Sequence, residues 1–413
     1  MPHENNPIQS FPPLSRRRFL AAAGLSAVSC ALTQPGVSLA AGNEAKINIG
    51  LIGCGGRGTW IADLFQKNGN YNLVAVADYF PEQAEAAGER FQVDKSRRFS
   101  GLQAYRRLLE QKLDAVMIES PPYFHPEHAA AAISAGKHVY CAKPIAVDVP
   151  GCQTMAESGR KAMEKKLVML VDFQTRAHPS YQQAVQLVHA GGIGRIISGE
   201  AAYQTGDVWS RRDAQIRANP KDNEVRLRSW GADKTLSGDI ITEQNIHALD
   251  VASWILNAAP LRAFGTGGRT RPALENGVWD NFSVIFEYPN EVRLTFSSKQ
   301  GGKGWDDIEC RVYGTEGTID THYFGIVKVN CDDAFNGGMM TNLYTDGVVN
   351  NIATFHKSIS TGDYSNPTVV PSVRSNLTTI LGRTAAYRRA TVTWDEMLKA
   401  NEKLEANLQG LKA

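Results

Sequence analysis

Cysteine, long apolar runs and an excess of either charge are scarce or missing in this 413-residue sequence. The six cysteines form no CxxC pair, so we predict no disulfide framework and no metal site. No apolar run reaches the ~18 residues that cross a bilayer, which argues against a stable membrane anchor. Residues 1–40 hold three arginines and one glutamate, and without them the 44 basic and 42 acidic residues become 41 of each. This neutrality excludes nucleic acid and anionic membranes as expected partners.

The first 40 residues have the order of a signal peptide. Arg16-Arg17-Arg18 precedes the apolar run AAAGLSAVSCAL, and Ser38-Leu39-Ala40 provides a small-residue cleavage site. Adjacent arginines are typical of the twin-arginine route, which exports proteins that have already folded. We therefore expect the twin-arginine export machinery as a partner and a periplasmic or other extracytoplasmic location. The alternative is an ordinary signal that exports an unfolded chain.

Residues 46–174 alternate short apolar segments with segments of helical spacing. KINIGLI, NLVAVAD and DAVMI are typical of buried parallel strands, and the segments between them are typical of crossover helices. This alternation predicts an α/β fold that begins with a Rossmann domain, a doubly wound parallel sheet.

Residues 175–413 show a different pattern. Strand-like runs such as NFSVIFEYPNEVRLTFSSK follow one another with turn signals between them. They predict a second α/β domain for substrate binding and oligomerisation, with an open, mostly antiparallel sheet and closing C-terminal helices. We expect TEQNIHALDVASWIL (242–256) to form one amphipathic helix and TWDEMLKANEKLEANL (393–408) to form the last helix.

The segment GCGGRG at residues 53–58 fits the pattern GxGxxG at a strand-to-helix junction. Gly53 allows the tight turn, Gly55 allows the backbone to approach a pyrophosphate, and Gly58 allows the helix to pack on the strand. Gly56 and Arg57 complete the motif and belong to the same predicted site. The start of the helix offers its free amides to the phosphates. The motif therefore predicts dinucleotide binding, the alternative being a glycine turn without a ligand.

Asp78 ends the second predicted strand, twenty residues after Gly58. A carboxylate at this position binds the adenosine ribose hydroxyls and repels a 2′-phosphate, so it favours NAD. NADP remains the alternative because Arg57, Arg97 and Arg98 are cations that weaken this preference.

Two further stretches carry chemistry. Lys143 follows an apolar strand at the edge where parallel sheets bind ligands, and Pro144 fixes the backbone beside it. Desolvation there lowers the pKa of an amine and makes it a proton donor. Glu243, His247 and Asp250 have the spacing of one helical face, and a histidine can accept the proton of an alcohol that loses hydride. The alternatives are an exposed lysine and a solvated Glu–His pair.

AGKHVYCAKP (135–144) and SGDIITEQNIHALD (237–250) resemble the patterns AGKHVxxEKP and GGGxxxDxGxHxxD of one family. This is the glucose–fructose oxidoreductase, inositol dehydrogenase and MocA (Gfo/Idh/MocA) family. The resemblance extends over nearly all of the chain after residue 40. It implies a Rossmann domain, an α/β domain with an open sheet, and NAD(P)-dependent hydride exchange with a sugar, glycoside or polyol. It also implies a homo-oligomer, either a dimer or a tetramer.

The resemblance also implies roles for individual residues. Lys143 would hydrogen-bond the reacting hydroxyl beside the cofactor, and His247 would be the general acid and base. Glu243 would orient the substrate, and Asp250 would be structural support. The nicotinamide end of the cofactor would be lined by Ser120, Pro121 and His125, and the sugar pocket by Arg176, Tyr203, Trp230, Glu243 and Lys299. For Tyr203 and Trp230 the alternative is core packing.

Three positions depart from the family pattern. Ala142 replaces the glutamate of E-K-P, a carboxylate that helps to hold the lysine and the cofactor ribose. Glu243 replaces an aspartate, and Asn245 replaces a common glycine. We therefore expect the pocket to differ from those of inositol and glucose enzymes.

Export and cofactor together constrain the function. NAD has no free pool outside the cytoplasm, so we expect it to be tightly bound and restored on every turnover. We favour an oxidoreductase that acts on a sugar, glycoside or polyol hydroxyl, with Lys143 and His247 as its proton-transfer pair. The first alternative is a redox-neutral glycoside hydrolase that oxidises its substrate transiently through NAD. The second is a non-catalytic sugar-binding protein.

Overall fold

The structure, a computed structural model, describes residues 46–413. The signal peptide predicted over residues 1–40 lies outside this range. Among the described residues, no helix is both long and apolar enough to cross a membrane. The five cysteines of this part of the chain are free thiols, and all but the half-buried Cys331 are buried.

Six parallel strands form the first sheet, in the order β3-β2-β1-β4-β5-β6. Strands β4 and β6 are buried at every residue, because the crossover helices cover both faces of the sheet. The strands are β1 (Ile47–Ile52), β2 (Tyr71–Asp78), β3 (Arg98–Ser100), β4 (Ala115–Ile118), β5 (His138–Ala142) and β6 (Met169–Asp172). The helices are α1 (Gly56–Asn68), α2 (Pro81–Arg90), α3 (Ala104–Leu109), α4 (His125–Ser134) and α5 (Val149–Glu164).

Nine strands form the second sheet, in the order β14-β13-β12-β11-β7-β10-β9-β8-β15. Within this sheet, as far as the chain is described, β7 and β10 are the only strands that pair in parallel. Buried and exposed residues alternate along β8, β9 and β10, so one face of the sheet packs on the core. The strands are β7 (Ile196–Thr205), β8 (Arg262–Gly268), β9 (Asn281–Glu287), β10 (Arg293–Gln300), β11 (Asp307–Gly314), β12 (Thr318–His322), β13 (Ile326–Asn330), β14 (Phe335–Met339) and β15 (Val392–Thr393). This arrangement confirms the predicted fold class.

Ten helices accompany the second sheet in the described part of the chain. They are α6 (Gln174–Ala177), α7 (Pro179–His189), α8 (Ser210–Ala218), α9 (Asn223–Arg228), α10 (Lys234–Ser237), α11 (Ile240–Glu243), α12 (Ile246–Leu256), α13 (Leu343–Thr361), α14 (Val369–Arg388) and α15 (Trp394–Ala400). Helix α13 returns to the parallel sheet, where Ile352 and Phe355 share a buried cluster with Phe65 and Tyr140. Part of the predicted 175–413 domain therefore packs on the Rossmann sheet.

Two predicted helices differ in the structure. The helix predicted over 242–256 is divided into α11 and α12, because the amides of Gln244 and Asn245 both donate to the Ile240 carbonyl and close the first helix. The last helix ends at Ala400, since Asn401 adopts a left-handed conformation. The first break matters for function, because it separates Glu243 from His247.

Candidate active site at the carboxyl edge of the parallel sheet

The glycine turn is shaped by close backbone contacts. Gly53 has φ +97°, and a Cβ there would lie 2.5 Å from the backbone of Glu119. A Cβ on Gly58 would lie 1.9 Å from the Gly53 carbonyl oxygen. A Cβ on Gly55, in contrast, would meet no atom within 4 Å. Packing therefore explains why positions 53 and 58 are glycines. Gly55, in contrast, leaves open space in which a ligand can approach the backbone.

A cavity of about 330 Å³, which we call the glycine cleft, opens beside this turn. Helix α1 starts at the cleft without a side-chain cap, so its first amides remain available to an anion. These features fit the pyrophosphate of a dinucleotide. The predicted residues that line the cleft are Gly53, Gly55, Gly56, Asp78, Ser120, Pro121 and Trp230.

Asp78 lines the glycine cleft at the end of β2. Its Oδ2 accepts a hydrogen bond from the Cys54 amide at 2.7 Å, and its Oδ1 accepts one from the Phe80 amide at 2.9 Å. Burial raises the pKa of this carboxyl group. Each oxygen retains a further lone pair, so the carboxylate can still accept bonds from ribose hydroxyls.

The cations near Asp78 are not those suggested by the sequence. Arg57, Arg97 and Arg98 do not line the cleft, and Arg98 pairs instead with Glu85 at 2.8 Å. Arg212 and Arg228 do line it.

A second cavity of about 430 Å³, which we call the lysine pocket, shares Glu119, Ser120 and Trp230 with the glycine cleft. The two cavities therefore adjoin. The predicted residues that line the pocket are Arg57, Ser120, His125, Lys143, Tyr203, Trp230, Glu243 and His247.

Lys143 projects into the pocket from the end of β5. Its Nζ donates a hydrogen bond to the Glu243 carbonyl oxygen at 2.7 Å and lies 3.6 Å from the Glu243 Oε1. Burial lowers the pKa of this amine, an effect that the Glu243 carboxylate opposes. The other carboxylate oxygen of Glu243 is buried without a hydrogen-bond partner in the described chain. The pair thus retains unused capacity to bind hydroxyl groups.

His247, near the start of α12, is enclosed by aromatic rings. Its ring meets the Tyr323 ring edge-on at 5.3 Å and stacks with Tyr203 at 6.5 Å. Burial lowers its pKa well below 6.5, and the positive charges of Lys143 and Arg57 add to this effect. Its Nδ1 has no hydrogen-bond partner among the described residues. A neutral imidazole of this kind can accept a proton. The Tyr203 hydroxyl donates to Gln244 Oε1 at 2.5 Å.

His125 connects two strand ends. Its Nδ1 lies 2.8 Å from the Pro144 carbonyl oxygen, and its Nε2 lies 2.6 Å from that of Ser120. Because burial lowers its pKa to about 4, the ring is neutral and donates to only one of these carbonyls. Both ring nitrogens face protein oxygens, so His125 positions the Lys143 segment from the wall of the pocket.

Arg176 and Lys299 do not line the pocket. Arg176 donates to both carboxylate oxygens of Asp250, at 2.9 Å each, in a buried ion pair. This ion pair links Asp250 of α12 to Arg176 of α6. Lys299 lies 3.3 Å from Asp306 on a half-exposed edge. The sugar-pocket roles expected of these two cations find no support in this geometry.

Arg57 points into the lysine pocket, away from the glycine cleft. Its Nε lies 3.1 Å from Glu119 Oε2, its Nη2 donates to Asp172 at 2.6 Å, and its Nη1 contacts the Tyr344 hydroxyl. Glu119 and Asp172 follow or end parallel strands, a signal that could have revealed them. The aromatic residues come from distant segments without any local signal. The lining residues missed by sequence reasoning include Glu119, Gln244, Ile308, Tyr323, Phe324 and Tyr344.

Comparison with known proteins identifies the family of this chain. Residues 47–172 match the model of an oxidoreductase family with an NAD-binding Rossmann fold, and residues 181–320 match the GFO/IDH/MocA C-terminal domain. The chain belongs to the Gfo/Idh/MocA family. It is therefore a member of a family of NAD(P)-dependent oxidoreductases, as predicted.

The relatives differ in how much of their length this Gfo/Idh/MocA member matches. Inositol 2-dehydrogenase of Rhizobium meliloti is 23% identical over 83% of this chain and 96% of its own length. Inositol 2-dehydrogenase 3 of Saccharopolyspora erythraea is 28% identical, but the match covers 50% of this chain and about half (54%) of that protein. A levoglucosan dehydrogenase solved with NADH and levoglucosan has a TM-score of 0.68 at 20% identity, over 84% of this chain and 99% of its own. That likeness shows a shared fold.

Proposed function

We propose that the protein oxidises a hydroxyl group of a sugar, glycoside or polyol, with NAD bound in the glycine cleft. The carbon to be oxidised would lie in the lysine pocket. One observation carries the proposal: Lys143, Glu243 and His247 line a single cavity, and that cavity shares a wall with the cleft below the glycine turn. The polyol and anhydrosugar named for the relatives support this substrate class.

The chain's own residues supply binding and proton transfer. Lys143 donates a hydrogen bond to the oxygen of the reacting hydroxyl, and Glu243 accepts one from a neighbouring hydroxyl. The neutral His247 accepts the proton as the oxygen becomes a carbonyl, and returns it in the reverse direction. Tyr203 and Tyr323 exclude water around the imidazole. NAD, when bound, supplies the hydride acceptor.

Tight cofactor binding, export and oligomerisation belong to the same proposal. The adjacent arginines at 16–18 support export of the folded protein with NAD already bound. One face of the nine-stranded sheet exposes alternate residues, including the large apolar side chains of Phe264 and Ile285. This exposed apolar surface supports a dimer or tetramer. Asp78 supports NAD over NADP.

Mass spectrometry of natively purified protein, followed by absorbance assays of NAD reduction with a panel of sugars and polyols, tests the proposal. We expect bound dinucleotide and reduction with at least one polyhydroxyl compound. Protein that neither carries nor takes up a dinucleotide would contradict it. Release of aglycone from aryl glycosides without added NAD would support the redox-neutral hydrolase instead. Sugar binding without either reaction would support the non-catalytic alternative.

A further inference from the structure

Three neighbouring strands of the parallel sheet end beside the two cavities, and only the outer two of them are followed by or end in a carboxylate. Ile118 of β4 pairs with Cys141 of β5, and Ala142 pairs with Asp172 of β6. Glu119, Ala142 and Asp172 are therefore lateral neighbours at the carboxyl edge of the parallel sheet. The middle position, where the family has a glutamate, is an alanine flanked by a carboxylate on each side.

Glu119 is placed to bind a ligand rather than to hold the fold. Its side chain is fully buried, and neither carboxylate oxygen has a hydrogen-bond partner in the described chain. Arg57 Nε lies 3.1 Å from Glu119 Oε2 and balances the charge of the carboxylate. The N–H group of Arg57 is not directed at that oxygen, so the ion pair is not a hydrogen bond. Leaving a buried carboxylate without donors costs free energy, so its environment calls for donors from outside the chain.

The location of Glu119 identifies these donors. It lines both the glycine cleft and the lysine pocket, at the wall that the two share. A dinucleotide with its adenosine half near Asp78 and its reactive ring near Lys143 must pass this wall. The hydroxyls of its second ribose are then the donors that reach it.

Arg57 explains why the carboxylate of Glu119 lies at the end of β4. Its guanidinium bonds Asp172 on one side of Ala142 and pairs with Glu119 on the other. Ala142 is small and buried, so it leaves room for that guanidinium between the two strand ends.

We propose that Glu119 replaces, from β4, the carboxylate that Ala142 does not supply from β5, and that it binds the ribose hydroxyls on the nicotinamide side of NAD. This inference rests on the proposed function, because it requires a dinucleotide in the cleft. It assigns a binding role to a residue outside the motifs in the sequence.

Glu119→Gln tests the proposal at pH 8, since it keeps the shape and removes the charge. Burial raises the pKa of the Glu119 carboxyl to about 7, so most of the group is ionised at this pH. After dialysis to remove resident dinucleotide, NADH affinity is measured by quenching of protein fluorescence. We expect the Kd for NADH to rise about tenfold or more, the effect of losing a charged hydrogen bond. The Kd for AMP, which contains only the adenosine half, should stay unchanged. The matched control, Glu164→Gln on the exposed face of α5, should change neither.

A carboxylate exchange provides the second test. Glu119→Ala should weaken NADH binding as Glu119→Gln does, and the double variant Glu119→Ala/Ala142→Glu should restore it to within a few-fold. Unchanged NADH affinity in Glu119→Gln, or equal losses for NADH and AMP, would overturn the inference. The proposed function fails separately, if the unmodified protein binds no NADH. Circular dichroism identifies a double variant that does not fold, in which case Glu119→Gln decides.

Discussion

The two adjoining cavities are constructed differently. The glycine cleft is formed around one continuous turn and the strand that follows it, and its key carboxylate, Asp78, accepts two backbone amides. The lysine pocket combines side chains from residue 57 to residue 344, and its charged groups pair with one another. A backbone cradle can be specified by a short motif, whereas a side-chain pocket depends on the whole fold.

The difference extends to unused hydrogen-bonding capacity. In the lysine pocket, Glu243 and His247 have buried polar atoms that no described residue satisfies, and so has Glu119 at the wall shared with the cleft. Asp78 has none of this kind. Unsatisfied buried groups are costly in a folded protein and are expected where a ligand completes them. Under the proposed function, the lysine pocket would supply proton transfer and the glycine cleft would hold the cofactor.

The largest effect should come from variants that lose the proton-transfer groups of the pocket but still bind the cofactor in the cleft. We expect Lys143→Ala and His247→Ala each to lower kcat by about 10²- to 10⁴-fold, the usual contribution of a positioned proton-transfer group. NADH affinity should change little, because the proposed function places the phosphates and the adenosine in the cleft. Steady-state kinetics and fluorescence titration measure the two quantities.

Lys299→Ala is the matched control for Lys143→Ala, because Lys299 lies outside the pocket. It should retain full kcat. Loss of activity in the control, or normal turnover in His247→Ala, would contradict the assignment of proton transfer to the lysine pocket.

A pair of glycine variants separates packing from binding within the cleft. Gly58→Ala should lower the free energy of unfolding by about 3 kcal/mol, because its Cβ meets the Gly53 carbonyl oxygen at 1.9 Å. Gly55→Ala should leave stability nearly unchanged and weaken NADH binding, because its Cβ enters only the space of the ligand. Urea denaturation and NADH titration test the pair. Equal stability losses in both variants would show that Gly55 also serves packing.

More of the glycine cleft than of the lysine pocket could be predicted from the sequence. The alternation of strands and helices predicted the parallel sheet, and GCGGRG with Asp78 predicted the turn and its carboxylate. The pattern could not show that α11 and α12 are separate, since that break depends on two amides sharing the Ile240 carbonyl. It assigned Arg57 to the cofactor site but could not show its partner Glu119, because the register that brings Glu119 beside Ala142 appears only when β4 and β5 pair.

Acid should destabilise the protein through buried imidazoles, and His128 of the cleft offers a clean test. Burial lowers its pKa to about 3, so the folded state binds fewer protons than the unfolded state below the usual value of 6.5. Its contribution to stability is therefore lost as pH falls below 6.5, by about 1.4 kcal/mol per pH unit. His128→Phe keeps the ring between Tyr105 and Phe124 and removes the titration.

The comparison is between variant and unmodified protein, so that other titrating groups cancel. Urea denaturation at pH 7, 6 and 5 should show the His128→Phe variant gaining relative stability by about 2 kcal/mol as the pH falls from 6.5 to 5. His189→Gln, at an exposed ring, is the matched control. Parallel curves for His128→Phe and the unmodified protein would contradict a neutral His128.

The smallest effect concerns the choice between NAD and NADP, which the cleft alone should determine. Asp78→Asn keeps an oxygen for the Cys54 or Phe80 amide and removes the charge that repels a 2′-phosphate. Because Arg212 and Arg228 line the same cleft, we expect the ratio of NADH to NADPH affinity to fall about tenfold, or 1.4 kcal/mol. Glu119→Gln should weaken both dinucleotides equally and leave that ratio unchanged, since it lies beyond the adenosine half. A shift in the ratio from Glu119→Gln, with none from Asp78→Asn, would place cofactor discrimination at the wall that the two cavities share and contradict the role of Asp78.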